Sequence, residues 1–192
     1  MSNCSWACSD SINQLYHDTE WGAPVHDDIK LFEYMLLESM QCGLSWSLIL
    51  KRREVFRKCF DQFDYNKIAK YTESDIERIL NTENMIRSPN KIKAIINNAQ
   101  RIIEIRKSFG SFDEYIWNYS DHKTIIYEGK ATTQNHLSQT ISKDLKKSGF
   151  KFMGPVCVYS FLQACGIIND HDKDCPKFQE INKKYPTIIL SS

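Results

Sequence analysis

Apolar residues recur at helical spacing along most of the chain. The longest such run, Ile92, Ile95, Ile96, Ala99, Ile102 and Ile103, predicts an amphipathic helix opened by Ser88-Pro89 and stopped at Phe109-Gly110. Another helix opens at Asp27 and places Leu31, Tyr34, Met35 and Glu38 on one stripe; Gly43 can end it in a left-handed turn, after which Ser45 can cap the next. That next helix carries Ile49, Phe56, Cys59 and Phe60 to about Phe63. Lys51, Arg52, Arg53, Arg57 and Lys58 fall largely on its other faces, as a solvated charged surface would. Before the Asp27 helix lies a short arm from Ser11 to Glu20, closed by the turn Trp21-Gly22-Ala23-Pro24.

Thr72-Glu73-Ser74-Asp75 has the form of a capping box ahead of Ile76, Ile79 and Leu80, and Ser111 with Glu114 caps a segment holding Tyr115, Ile116 and Trp117. The polar run from Tyr119 to Gln139 shows no steady period and predicts a long surface connection. A helix returns near Ser138 and carries Ile141 and Leu145 to Gly149. The last begins at Pro155 and carries Val156, Val158, Tyr159, Phe161 and Leu162 to Gly166. No segment alternates like a strand for long, no repeat is present, and the predicted class is all-α.

Composition adds bounds. The 192 residues, 42% hydrophobic and 12% aromatic, suffice for one compact domain or two small lobes sharing an interface. No stretch reaches membrane-spanning length, and the opening MSNCSWACSD lacks the basic and apolar regions of a signal peptide, so a cytoplasmic location is expected. Seven cysteines, an odd number scattered through apolar segments and both ends, fit reduced thiols plus a metal site better than a disulfide framework. A net charge of +1 excludes a globally basic nucleic-acid binder and leaves local basic patches open.

Three groups of residues could carry chemistry. Glu38 shares the apolar stripe of its helix, where desolvation would penalise an ionised carboxylate unless a partner holds it. The same spacing suits a Glu at the stripe's edge reaching solvent. The sequel Cys42-Gly43-Leu44-Ser45-Trp46 favours a pocket, and Trp6, Tyr16, Trp21 and Trp46 offer flat faces for a planar base if they are not simply core. Second, Gly149 to Gly154, preceded by Lys143, Lys146 and Lys147, has a glycine at each end. It reads as a helix-hairpin-helix turn whose outward N–H groups would hold a nucleic-acid backbone, or as an ordinary connection with a solvated basic face. Third, Cys4, His17, His171 and Cys175 supply two nitrogens and two sulfurs, a set suited to tetrahedral zinc, although the spacing matches no common finger. His26, His122 and His136 lie in polar, loop-like surroundings and are assigned no role.

Taken together the chain resembles the bacterial 3-methyladenine DNA glycosylase I family over nearly its whole length. The matching stretches include Cys4-x-Trp6, Tyr16-His17-Asp18, Glu20-Trp21-Gly22, Leu37-Glu38, Gly43-Leu44-Ser45-Trp46, Lys51-Arg52-Arg53-Glu54, Lys91-Ile92, Gly149-Phe150-Lys151-Phe152, and Gly166 through His171. The resemblance implies one glycosylase unit over residues 1–192, as one body or as two helical lobes sharing a cleft, with a helix-hairpin-helix glycosylase fold. It also implies hydrolytic excision of 3-methyladenine from double-stranded alkylated DNA without lyase activity. The further implications are a structural zinc on Cys4, His17, His171 and Cys175, Glu38 as the base-recognising and catalytic carboxylate, and Tyr16, Trp46 and Trp6 as pocket aromatics. DNA contacts fall to Leu44, as a wedge, and to Gly149, Lys151 and Gly154 of the hairpin; no protein partner is implied, and a monomer is expected.

Methylation at N3 makes adenine cationic and a good leaving group, so an ionised Glu38 in a dry pocket would select it by charge. The family lacks the Asp that many hairpin glycosylases place after the hairpin. Here the first acid after the hairpin is Asp170, read as a structural neighbour of His171. Position 13 is Asn where the family carries Tyr, which puts one pocket wall in question. The competing class is a non-catalytic protein that binds alkylated DNA and carries a structural zinc. A di-iron helical protein, suggested by Glu33 and Glu38, lacks the Glu-x-x-His pairs it would need.

Overall fold

The computed structural model describes residues 4–128 and 132–191. Ten helices run in the order α1 (Ser11–Thr19), α2 (Asp28–Gln41), α3 (Trp46–Cys59), α4 (Tyr65–Ile68), α5 (Glu73–Asn81), α6 (Pro89–Phe109), α7 (Phe112–Trp117), α8 (His136–Lys147), α9 (Pro155–Ala164) and α10 (Pro176–Lys184) among these residues. Two strands, β1 (Thr124–Glu128) and β2 (Thr187–Ser191), pair in parallel with Ile125 opposite Ile188. None of the described helices is long and apolar enough to cross a membrane.

α2 is the axis of the molecule. Asp27 caps it by accepting from Lys30 N at 2.8 Å, and α3, α6, α7 and α9 surround it, so every residue from Leu31 through Met40 is buried. A helix enclosed on all sides has no solvent stripe, and its polar members Glu33, Glu38 and Ser39 are therefore inside. Its C-terminal carbonyls, which no helix can satisfy internally, are met by a buried lysine: Lys91 Nζ of α6 donates to Met40 O and Cys42 O, each at 2.7 Å. The cation also opposes the negative end of the helix dipole.

Several boundaries fall where local chemistry puts them. Ser45 caps α3, Thr72 and Asp75 form the capping box of α5, Ser111 caps α7, and Gly110 ends α6 with φ 85°. Other expectations need correction. The protein is mostly helical rather than all-α, because β1 lies inside the expected 119–139 connection, its inner residues buried between β2 and the Ile167–Asn169 segment. Residues 129–131 of that connection lie outside the described residues. α8 starts at His136 under an Asn135 cap, and the helix from Pro155 is not the last, since α10 follows. α3 stops at Cys59 instead of reaching Phe63, where Asp61, Gln62 and Phe63 take positive φ, a conformation no right-handed helix continues through.

The basic run on α3 is not a solvated face throughout. Arg53, with only 12% of its side chain exposed, forks onto both oxygens of Glu20 at 2.7 Å and donates to Glu33 at 2.8 Å; Lys30 and Arg57 complete the network. Burial opposes charge on Glu20, yet the Arg53 fork and Lys30 hold its carboxyl down at about 2. The network joins the end of α1 to α2 and α3, and so fixes the elements that carry Tyr16, Glu38 and Trp46. Glu33 is fully used within it, which leaves no carboxylate pair with Glu38.

Candidate functional site

The first site is a buried four-residue cluster that joins the two ends of the described chain. Cys4 precedes a short turn of 3-10 helix (Ser5–Ser9), His17 sits in α1, and His171 and Cys175 flank the entrance to α10. One ligand atom of each lies within 4.8 Å of the others, and all four residues are buried. His17 Nε2 and His171 Nδ1 are 3.1 Å apart, Cys4 Sγ is 3.5 Å from His171 Nδ1, and Cys175 Sγ is 3.6 and 3.7 Å from the two nitrogens. A tetrahedral zinc with ordinary bond lengths requires N–N and N–S edges of about 3.3 and 3.5 Å.

The tautomers agree. His17 Nδ1 meets Asp18 Oδ1 at 2.7 Å and His171 Nε2 meets the Trp21 carbonyl at 3.2 Å, so each ring turns its unprotonated nitrogen inward. Two such lone pairs facing each other repel unless a cation lies between them. Burial lowers His171 to about 4, which keeps the imidazole neutral as a ligand must be, and burial raises the Cys4 thiol to about 12. The donor set fits a tetrahedral metal. Gly22 belongs to the site for steric reasons: with φ +78°, a Cβ there would lie 2.7 Å from His171 Nε2.

Beside this cluster is a cavity of about 370 Å³ whose lining includes Trp6, Tyr16, Trp21, Glu38 and Trp46. Trp6 is T-shaped on Trp21 with centroids 4.9 Å apart, and Tyr16 is tilted against Trp46 at 5.3 Å. The Cys–His cluster positions this wall, because Tyr16 and His17 are adjacent and the Trp21 carbonyl holds His171. Glu38 is 5% exposed, and among the described residues its carboxylate has no hydrogen-bond or ion-pair partner. Burial, with a smaller repulsion from Cys42, pushes its pKa up to about 8. Burial thus favours the protonated form of Glu38 at neutral pH while no cation faces it. A cation in the cavity would reverse that preference. Tyr16 Oη is also buried without a partner, and burial keeps it a neutral donor.

A second cavity, of about 400 Å³, shares Glu38, Gln41 and Ser160 with the first. One wall is the turn after α2, where Gly43 has φ 82° and Leu44 is 36% exposed. The other is the α8–α9 turn, with Phe152 41% exposed. The Cys4, His17, His171 and Cys175 cluster, the aromatic cavity with Glu38, and Leu44 opposite the α8–α9 turn therefore form one continuous region, while Gly149 and Lys151 line neither cavity.

The hairpin itself differs from expectation. Gly149 takes φ 87°, but the second left-handed position is Phe152 at φ 56°, not Gly154, which has φ −69° and caps α9. The Lys151 N–H does not point outward, because Asn98 of α6 brackets that residue: Oδ1 accepts from Lys151 N at 2.8 Å and Nδ2 donates to Lys151 O at 2.9 Å. Among the described residues, the N–H groups left for an anion are those of Phe152, Met153 and Gly154 and the first turn of α9. Asn13 is buried, with its amide donating to Ser9 Oγ, and does not line the aromatic cavity; Trp6 does. Asp170 also lines that cavity and accepts from Tyr159 and Gln163, so the residues that orient the two histidines are Asp18 and the Trp21 carbonyl instead. Lys91, Asn98 and Arg53 were not assigned these roles from the sequence, since each acts on an element distant in the chain.

Comparison with known proteins gives a consistent result. The sequence profile of the methyladenine glycosylase family matches residues 6–179. DNA-3-methyladenine glycosylase 1 of Escherichia coli (strain K12) is 41% identical over 179 residues, which cover 91% of this chain and 96% of the relative. The DNA-3-methyladenine glycosylase of Haemophilus influenzae (strain ATCC 51907 / DSM 11121 / KW20 / Rd) is also 41% identical, covering 91% and 97%. Among solved structures, the 3-methyladenine DNA glycosylase I of Staphylococcus aureus, described for the structural basis of its 3-methyladenine recognition, superposes with a TM-score of 0.86 at 40% identity, covering 90% of this chain and 94% of that one.

Proposed function

The chain belongs to the methyladenine glycosylase family, and from that premise we propose that it hydrolyses the N-glycosidic bond of 3-methyladenine in alkylated duplex DNA. One observation carries the reading: a carboxylate without a partner, buried among aromatic rings in a cavity of base size. Such a group is costly in a resting protein and is repaid only by a ligand that is cationic and donates a hydrogen bond. The 3-methyladenine nucleotide is both. Its ring carries a positive charge and its exocyclic amine can donate to Glu38, while Tyr16 and Trp46 supply faces to stack on and Trp6 closes the side.

Because the charged base is already a good leaving group, what the protein must supply is stabilisation of the base in the extrahelical position. Leu44 fills the space the flipped nucleotide vacates, and the α8–α9 turn, as a helix-hairpin-helix element, holds the backbone through its free N–H groups with Lys151 contributing charge. Cys4, His17, His171 and Cys175 hold a zinc ion that clamps the chain ends and fixes the aromatic wall. The metal's contribution is structural. The reaction proposed is monofunctional, with hydrolysis of the glycosidic bond and no imine of the kind a lyase forms. Alkylated duplex incubated with the protein should acquire alkali-labile abasic sites while its strands stay intact before alkali. Strands that survive alkali would overturn the excision reading, and breaks without alkali would overturn the monofunctional one.

A further inference from the structure

The cavity between Leu44 and Phe152 contains two thiols that base excision does not use. Cys42 closes α2, Cys157 lies in the first turn of α9, and both line the cavity. Their surroundings bring them together: Cys157 Sγ is 3.9 Å from Met153 Sδ, which accepts from Ser39 Oγ at 3.7 Å, and Ser39 sits one helical turn before Cys42. Each thiol is close enough to shift the other's titration, neither is in a disulfide, and the Lys91 ammonium, which donates to Cys42 O at 2.7 Å, acts on both. Cys42 is exposed.

We propose that Cys42 and Cys157 form an oxidisable pair, which hydrogen peroxide closes into a disulfide joining α2 to α9 and thereby stops excision. The neighbouring Cys157 thiol, helped by Lys91 and opposed by burial, lowers the Cys42 thiol to about 6, while Cys157 is raised and keeps its proton. That asymmetry supplies an attacking thiolate and a resolving thiol. In the first step the Cys42 thiolate attacks a peroxide oxygen, the O–O bond breaks, and the departing hydroxide leaves Cys42 as a sulfenic acid. In the second, Cys157 sulfur attacks that sulfur, the S–O bond breaks, and the Cys157 proton leaves with the hydroxyl as water. One peroxide is reduced and two thiols are oxidised. The bridge ties the residue before the Gly43-Leu44 turn to the element that follows the hairpin, so the cavity walls can no longer move apart to admit a nucleotide. This consequence rests on the glycosylase reading; the bond does not.

The full-length, zinc-loaded protein is titrated with hydrogen peroxide, digested without reductant and mapped by mass, and excision from methylated duplex is measured on the same samples. A joined peptide pair containing Cys42 and Cys157 is expected, with the excision rate falling in proportion to the joined fraction and returning on reduction with dithiothreitol. A C42S/C157S double variant should hold its own rate, whatever its level, through the same titration. Absence of the joined pair overturns the proposal. So does a joined pair with an unchanged rate, or a double variant that loses its rate equally through oxidation elsewhere. If the reduced wild type excises nothing, the glycosylase reading and the gating consequence fail together, and the peptide map still decides the bond.

Discussion

Replacing Glu38 by Gln tests the charge argument at its source, because it keeps the shape of the side chain and removes its ability to ionise. With its pKa pushed up to about 8 by burial, Glu38 is ionised in only about one molecule in ten at pH 7 and nine in ten at pH 9. The lesion carries a fixed charge, so productive encounter draws on the ionised fraction. Wild-type kcat/KM on methylated duplex should therefore rise about tenfold between pH 6 and 7 and level off above 8. A hydrogen bond to a charged partner is worth ~1.5–3 kcal/mol, so Glu38→Gln should lose roughly ten- to a hundredfold on the plateau and show no such rise.

Stability moves the other way. A carboxyl whose pKa is higher in the folded than in the unfolded chain favours folding fully below the unfolded value, near 4.5. That contribution is lost as pH climbs through about 8. At pH 9 the Gln variant should melt higher than wild type, by a few kcal/mol at most. Single-turnover rates across this pH range and melting curves at its two ends suffice. Parallel wild-type and Gln pH profiles, or a Gln variant less stable at pH 9, would refute the reasoning.

Three further outcomes are expected. Elemental analysis should find about one zinc per chain, and stripping it, or replacing Cys175 by Ala, should lower the melting temperature and loosen the aromatic wall; a metal-free protein of unchanged stability contradicts the clamp. Lys91→Met leaves the Met40 and Cys42 carbonyls unsatisfied and should cost ~2–4 kcal/mol in denaturant unfolding, and an effect under half a kcal/mol would show that water replaces the amine. Leu44→Ala should lower excision from duplex more than from single-stranded DNA, because only a duplex has a stack to refill. Equal losses on both substrates would remove the wedge role.

How much was legible in the sequence follows from the range of the interactions. Caps are written within four residues, so Asp27, Ser45, Thr72 and Ser111 mark their helices correctly. Cys4, His17, His171 and Cys175, which meet in one buried cluster, stand out in the sequence by their chemistry and by the family resemblance, not by their spacing. β1 was missed because a short apolar run such as TIIYE reads equally as helix or strand, and its partner β2 lies sixty residues downstream. Arg53 was misplaced on a solvated face because a helical pattern cannot show that Glu20 and Glu33 cover that face. Glu38 was placed inside for an incomplete reason: the stripe argument assumes a wet side, and α2 has none. The outward N–H expected of Lys151 is taken by Asn98, a contact across more than fifty residues that no local motif signals.

The most direct test of the account is to incubate the purified, zinc-loaded protein with methylated duplex and separate the free bases by chromatography, following 3-methyladenine and 7-methylguanine together. Both bases are cationic in DNA, but adenine turns an amine donor towards a carboxylate where guanine turns a carbonyl oxygen, so the account predicts release of 3-methyladenine with little 7-methylguanine. Equal release of both would contradict recognition by Glu38, and no release from folded protein that still binds the lesion would mark a non-cutting binder of alkylated DNA.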